Sequence, residues 1–326
     1  MLSSGNLNNP KVVMALNQDS HSVSVVDTTT YEVLKEIKVG THPHEIDVTP
    51  DQKYALVSLP GDLYGWKPGD SVALIDTETM EVIRPIEIEK KACPHGVKFL
   101  SNDLALVTAA GVKSIFIVNI HTSDKDKIFI GESNIHMVTA DIPKNLAYAI
   151  AKNGTLIKVD LNDKSITKKK VGIAAESLEI SKDGSKILVV NPAANCITVV
   201  RANDLVVLDN IYVAYLPLRV AFFNKEKSFA VTCGLSGVVQ TYNFDTKKLD
   251  TIKISLPVIS GSAYFLSKTV PSPACLVVGE DDQSAHVSLY RAGMIAHIDL
   301  VNNKINRTAN TAYSPDGVAL VHRRLV

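Results

Sequence analysis

Seven times along this chain an alternating apolar run ends on one residue and gives way to a polar turn: Asp27, Asp76, Asn119, Asp160, Arg201, Asn243 and Asp299. The steps between them are 49, 43, 41, 41, 42 and 56 residues. A recurring period of this length marks stacked supersecondary units such as propeller blades or solenoid turns, so it constrains the fold before any single residue does. Asp and Asn suit the position because their side chains hydrogen-bond the backbone just ahead and start a turn. Arg201 departs from the pattern, and Asn203-Asp204 just beyond it is expected to supply that turn.

Each unit divides into four short strands. The second gives Glu45–Val48, Lys53–Ser58, Ser71–Ile75 and Glu81–Ile88; the fourth and fifth repeat the scheme from His136 and from Glu176. Strand interiors favour Val, Ile and Tyr, and the breaks carry Gly, Pro, Asn and Asp. No stretch of helical length keeps a 3.6-residue apolar period, which disfavours alternating strand–helix folds. The first unit starts directly at its second strand, Lys11–Leu16, and Gly317–Val321 at the far end of the chain supplies the missing first strand. The expectation is an all-β, seven-bladed propeller of four-stranded antiparallel blades, one domain over residues 1–326, closed by the C-terminal strand joining the N-terminal blade.

The two long steps have visible sources. Pro60–Asp70, with Tyr64 and Trp66, widens unit two, and Gln283–Arg291, with His286 and Tyr290, is read as lengthening unit seven. Between Pro257 and Asp299 the register leaves Ser260 or Gly261 at the position discussed next. Trp66 and Tyr64 are candidate substrate-binding residues, because an aromatic loop on a rigid scaffold can wall a binding mouth.

A second repeat carries chemistry. Thr41-His42-Pro43-His44-Glu45-Ile46 returns in altered form around His95, His136, Glu176, Leu218 and Asp316, each two residues before an apolar position that opens a strand. Residues two apart share a strand face, and the innermost strands of a propeller converge on its central channel. His44, His95, His136, Glu176 and Asp316, with Arg219 one position on, are therefore the candidate catalytic residues. Imidazole and carboxylate suit a divalent cation, so His44, His95, His136 and Glu176 are the candidate metal ligands, for zinc, magnesium, manganese or iron. Glu176 would serve as fourth ligand or base, Asp316 would fix an imidazole tautomer, and Arg219 would hold a substrate carboxylate. Without metal the same groups form a general acid and base near neutral pH. The architectural alternative is that a histidine before a strand bonds a neighbouring blade's backbone.

Composition narrows the partners. The 34 basic and 34 acidic side chains cancel, which argues against nucleic acid and against a polybasic membrane contact. No apolar run nears the roughly 18 residues of a spanning helix. Met1–Pro10 has no apolar core of a signal peptide, so the expected location is cytoplasmic. The four cysteines share no metal-ligand spacing, and Cys196, Cys233 and Cys275 fall in apolar runs as buried thiols. Nucleotide-binding loops, His-Glu-x-x-His and Gly-x-Ser-x-Gly are absent.

The strands Val12–Asn17, Tyr54–Ser58 and Leu104–Thr108, with the turns Val48-Thr49-Pro50-Asp51, Ile180–Gly184 and Ser314–Gly317, resemble the YVTN-repeat β-propellers from Lys11 to Val321. That resemblance implies the fold and says little of function. A WD40 pattern is disfavoured by the single tryptophan. More broadly the chain looks like lactonase-type propellers and the virginiamycin B lyase propeller, though neither family's active-site motif lies over this sequence. The likeness implies a small-molecule enzyme at the channel mouth, opening a lactone by hydrolysis or elimination. The alternative is a non-catalytic ligand- or protein-binding propeller.

Overall fold

The computed structural model describes residues 11–62, 67–255 and 270–322. Within them the chain forms seven four-stranded antiparallel sheets, arranged as the blades of a propeller. The inner strands are Pro315–His322 in blade 1, Ile46–Val48 in blade 2, Pro94–Phe99 in blade 3 and Ile135–Asp141 in blade 4. Blades 5, 6 and 7 follow with Leu178–Ile180, Pro217–Phe223 and Pro273–Val278. Closure is as expected: Pro315–His322 pairs with Lys11–Asn17, in register from Lys11↔His322 to Ala15↔Val318.

Blades hold together through their faces. Seven apolar clusters stand among the described residues, one between each pair of neighbouring blades. Between blades 1 and 2, for example, Met14, Leu16 and Val25 pack on Ile46, Val57 and Ile75. Strands covered on both faces read as near-continuous apolar runs, which is why Val12–Leu16 and Ile187–Val190 are fully buried.

The recurring Asp or Asn does what its chemistry predicts. Asp27 Oδ1 accepts from the backbone N–H groups of Thr29 and Thr30 at 2.7 and 2.8 Å, and Asp76, Asn119, Asn243 and Asp299 repeat the geometry. At the exception, Arg201 pairs with Asp204, whose carboxylate accepts from Val206 N at 3.3 Å.

Blade 7 corrects one expectation. Gln283–Arg291 is no insertion, because Ser284–Leu289 is the ordinary second strand of that blade, paired with Met294–Asp299. The extra length lies between Lys253 and Pro273. Ala274, rather than Ser260 or Gly261, holds the repeated inner-strand position; those two residues lie outside the described residues. No histidine or carboxylate marks Ala274, so the repeat could not be registered there by its chemistry. In blade 2, Pro60–Asp70 belongs to a lengthened hairpin in which Gly61 pairs with Pro68. Gly69 O accepts from Cys93 N at 2.9 Å, which sets this hairpin on the face where the inner strands begin. Tyr64 and Trp66 lie outside the described residues. No helix among the described residues is long and apolar enough to cross a membrane.

Candidate metal centre at the channel mouth

A local device starts almost every inner strand. Two residues before the repeated position the backbone is left-handed: His42, Cys93, Asn134, Leu216, Ser272 and Ser314 have φ between 48° and 57°. Pro43, Pro94, Pro217, Pro273 and Pro315 follow five of them. The strand then bulges, placing two residues opposite one on its neighbour. His136 is the extra residue between Ile135↔Ala151 and Met137↔Ile150. His44 N donates to Ser58 O while Ser58 N donates to Glu45 O, and Glu176 and Ser177 share Val190 in the same way. A bulge re-aims side chains, so both residues of the pair turn toward the axis.

Hydroxyl groups lock the bulges. Thr108 Oγ1 accepts from Gly96 N and donates to His136 O, both at 2.7 Å, tying blade 3 to blade 4. Thr232 accepts from Arg219 N at 3.0 Å and donates to Ala274 O at 2.7 Å. Ser58 and Ser288 accept from Glu45 N and Cys275 N. Val-Ser58, Val-Thr108, Val-Thr232 and Val-Ser288 were a visible signal for these locks, at one place in the second strand.

The structure brings His44, His95 and His136 together, with one donor atom from each inside a 4.8 Å span. The ring centroids of His44 and His95 are 3.9 Å apart, and those of His95 and His136 are 3.7 Å apart. His136 Nδ1 lies 2.6 Å from Glu176 O, and a carbonyl only accepts, so Nδ1 carries the proton and Nε2 presents a lone pair. Burial, then Lys152 and His44, holds His136 well below the usual imidazole range. Burial followed by His136 and His44 does the same to His95. His44 differs. Burial would lower it, but Asp316 and Glu45 outweigh that and raise it. Its Nδ1 stands 3.3 Å from Glu45 Oε1 and 3.4 Å from Asp316 Oδ2, without an aligned hydrogen bond to either.

The carboxylates surround this triad rather than join it. Glu176 Oε1 is 3.7 Å from His136 Nε2, while its Oε2 takes Lys152 Nζ at 2.5 Å. Asp316 accepts from Gln18 Nε2 at 2.6 Å, and Gln18 Oε1 accepts from Tyr290 OH at 3.3 Å. Arg219 reaches across the channel from blade 6 to an ion pair with Glu45 of blade 2, both nearly buried. Its Nε and Nη1 have no hydrogen-bond partner among the described residues. Burial disfavours charge on Glu45, yet Arg219 holds its carboxyl below the usual range. Glu45 was missed in the sequence because strict alternation puts it on the face opposite His44. At the other end of the inner strands, burial pushes the Glu179 carboxyl up to about 7, beside the Asp47–Lys98 pair at 3.3 Å.

Comparison with known proteins places the fold and no more. No family model matches the chain, and no curated protein matches its sequence. Among solved structures, a functionally unknown protein from Desulfotomaculum acetoxidans is similar at a TM-score of 0.77 and 13% identity, covering 96% of this chain and 99% of that one. Kuenenia stuttgartiensis hydrazine synthase is similar at a TM-score of 0.68 and 17% identity, with the same coverage. The chain is a seven-bladed β-propeller. Identities this low carry the architecture alone, and the YVTN family has no matching model behind it.

Proposed function

We propose that His44, His95 and His136 hold one divalent metal ion at the channel mouth, and that the chain is a small-molecule enzyme of the lactonase or lyase kind. One observation carries this reading: three imidazole donors from three successive blades fall within 4.8 Å of one another. The donor set is of the three-histidine type that leaves a position open for substrate or water. His136 also has the outer-shell contact of a metal-binding imidazole, its second nitrogen being spent on a backbone carbonyl. A bound divalent ion supplies Lewis acidity, polarising a carbonyl oxygen or acidifying water. The surrounding side chains then have distinct work. Asp316, held by Gln18, steadies the His44 ring. Arg219 and Glu45 pair across the channel beside the triad and hold each other in place. Glu176, partly exposed and steadied by Lys152, is the carboxylate placed to take a proton from substrate or water.

A binding propeller without chemistry is the second reading, favoured by the ring-on-ring packing of the histidines. Titrating zinc into chelator-treated protein, with His95→Ala as control, tests the metal site. One equivalent is expected in the wild type and none in the variant; absence of stoichiometric binding in both would sink the metal reading. Metal binding without turnover of any ester or lactone would leave the binding propeller.

A further inference from the structure

Three residues after the repeated inner-strand position stands a second layer of side chains. Blades 2 to 5 place Asp47, Lys98, Thr139 and Glu179 there, and blades 6, 7 and 1 place Ala221, Val277 and Ala319. Blades 2 and 3 fill their share with an ion pair, Asp47 to Lys98 at 3.3 Å. Blades 6 and 7 offer only an alanine and a valine, and beside them lies a cavity of about 530 Å³. Its lining is drawn from the inner strands of blades 5, 6 and 7 and the turns that follow them. The walls are apolar, with Val220, Ala221, Phe222, Leu276, Val277 and Val278, and Glu179 stands on the blade 5 side.

Six charged residues line this space, and five of them are accounted for. Arg219 is paired with Glu45. Glu226 Oε1 accepts from Lys182 N and Asp282 Oδ2 from Lys225 N, so both rim carboxylates are spent on stitching one turn to the next. Lys182 and Lys225 themselves are exposed at the rim. Glu179 is the sixth, and among the described residues its carboxyl has no hydrogen-bond or ion-pair partner. Burial, reinforced by Asp47 and Glu226 and opposed by Lys98 and Arg219, pushes it up to about 7. A carboxyl whose charge is disfavoured by its surroundings gains most from a ligand that brings a positive charge to it. The apolar walls offset the cost of enclosing that ligand's body.

We propose that this cavity is a second ligand site, taking a primary ammonium ion with an apolar body. The ammonium group sits on the Glu179 carboxylate and the body lies against Phe222, Leu276 and Val278. The site does not rest on the metal reading of the triad. Calorimetric titration of the full chain with phenethylammonium tests it, beside two compounds of similar shape, neutral phenethyl alcohol and anionic hydrocinnamate. The ammonium ion is expected to bind at least about tenfold more tightly than either, the worth of a charge-assisted hydrogen bond away from water. Glu179→Gln keeps the side chain's size and should abolish that preference. Ala221→Leu fills the cavity without touching a charge and should weaken the ammonium ion and the alcohol alike; melting temperatures check the fold of both variants. A third readout needs no substitution. Glu179 is about half protonated at pH 7 in the free protein, so the ammonium ion should expel roughly half a proton, seen as a binding heat that changes with the buffer's ionisation heat. Absent binding, equal affinities for the three compounds, or a heat indifferent to buffer would each overturn the site. Binding lost in His95→Ala but kept in Glu179→Gln would put the ammonium ion at the mouth and refute the proposal.

Discussion

Glu45 and Arg219 meet across the channel with 7% and 13% of their side chains exposed, and among the described residues neither has another ion-pair partner of opposite fixed charge in contact. Removing one member of such a buried pair strands the other charge, which is far more damaging than losing both. Arg219→Met and Glu45→Gln are each expected to destabilise by about 3–5 kcal/mol, and the double variant to recover most of that loss in urea unfolding. Additive losses would show that the pair is not coupled. Gly96 answers a different demand. A Cβ there would stand 2.8 Å from His136 O and 2.9 Å from Met137 Cα, both backbone, so nothing flexible can give way. Gly96→Ala is expected to destabilise by about 1–3 kcal/mol and to weaken zinc binding, because the displaced strand is the one that carries His136. Calorimetric titration beside thermal melts reads both effects.

At the scale of the element, the inner strand is defined by how it begins. A left-handed residue, a proline in most blades and a bulge turn the chain into the channel, and the bulge undoes simple alternation. The last inner strand also closes the ring. Deleting everything beyond Asp316 removes Val318, Ala319 and Val321 from two blade interfaces and unpairs Lys11–Ala15 on one side. The truncated chain is expected to lose its cooperative thermal transition; an unaltered melting curve would contradict closure by this strand. A second element-level prediction concerns the seam between blades 7 and 1. His286, on the second strand of blade 7, accepts from or donates to Tyr31 OH at 2.9 Å and stacks 5.1 Å from His297. Burial, then His297, lowers its pKa from 6.5 to about 3, with Asp281 opposing and Arg307 reinforcing the shift. The unfolded chain therefore binds a proton that the folded chain refuses. Its contribution is fully present above pH 6.5 and is lost as pH falls from there toward about 3. His286→Phe should show a smaller loss of stability between pH 7 and pH 4 than wild type, in denaturant titrations at both values.

For the whole molecule, the ring is held by seven blade-to-blade clusters and has no covalent crosslink, all four cysteines being free. A metal ion at the triad would bridge blades 2, 3 and 4 and bind only the folded ring, so it should stabilise by mass action. Zinc at one hundred times its dissociation constant is expected to add about 2.7 kcal/mol in wild type and nothing in His95→Ala. Differential scanning fluorimetry with and without chelator measures this, and equal shifts in both proteins would place the metal elsewhere.

Much of this architecture is legible in the linear chain because it is local and repeated. The Asp or Asn turn needs only its own next three residues, and a four-stranded blade is built from consecutive segments, so period and strand count follow from order alone. Closure is legible too, since the first unit lacks a strand that the last residues supply. Blade 7 was not, because Ala274 has no polar signature and the added length before Pro273 imitates a shifted register. The convergence of His44, His95 and His136 followed from their shared place in the repeat. Glu45, the cross-channel reach of Arg219 and the close, tilted packing of the imidazoles did not. Those depend on bulges that rotate consecutive residues toward one axis, and on distances between blades that lie far apart along the chain. Sequence order by itself determined which residues stand at equivalent positions; only the closed ring decided which of them touch.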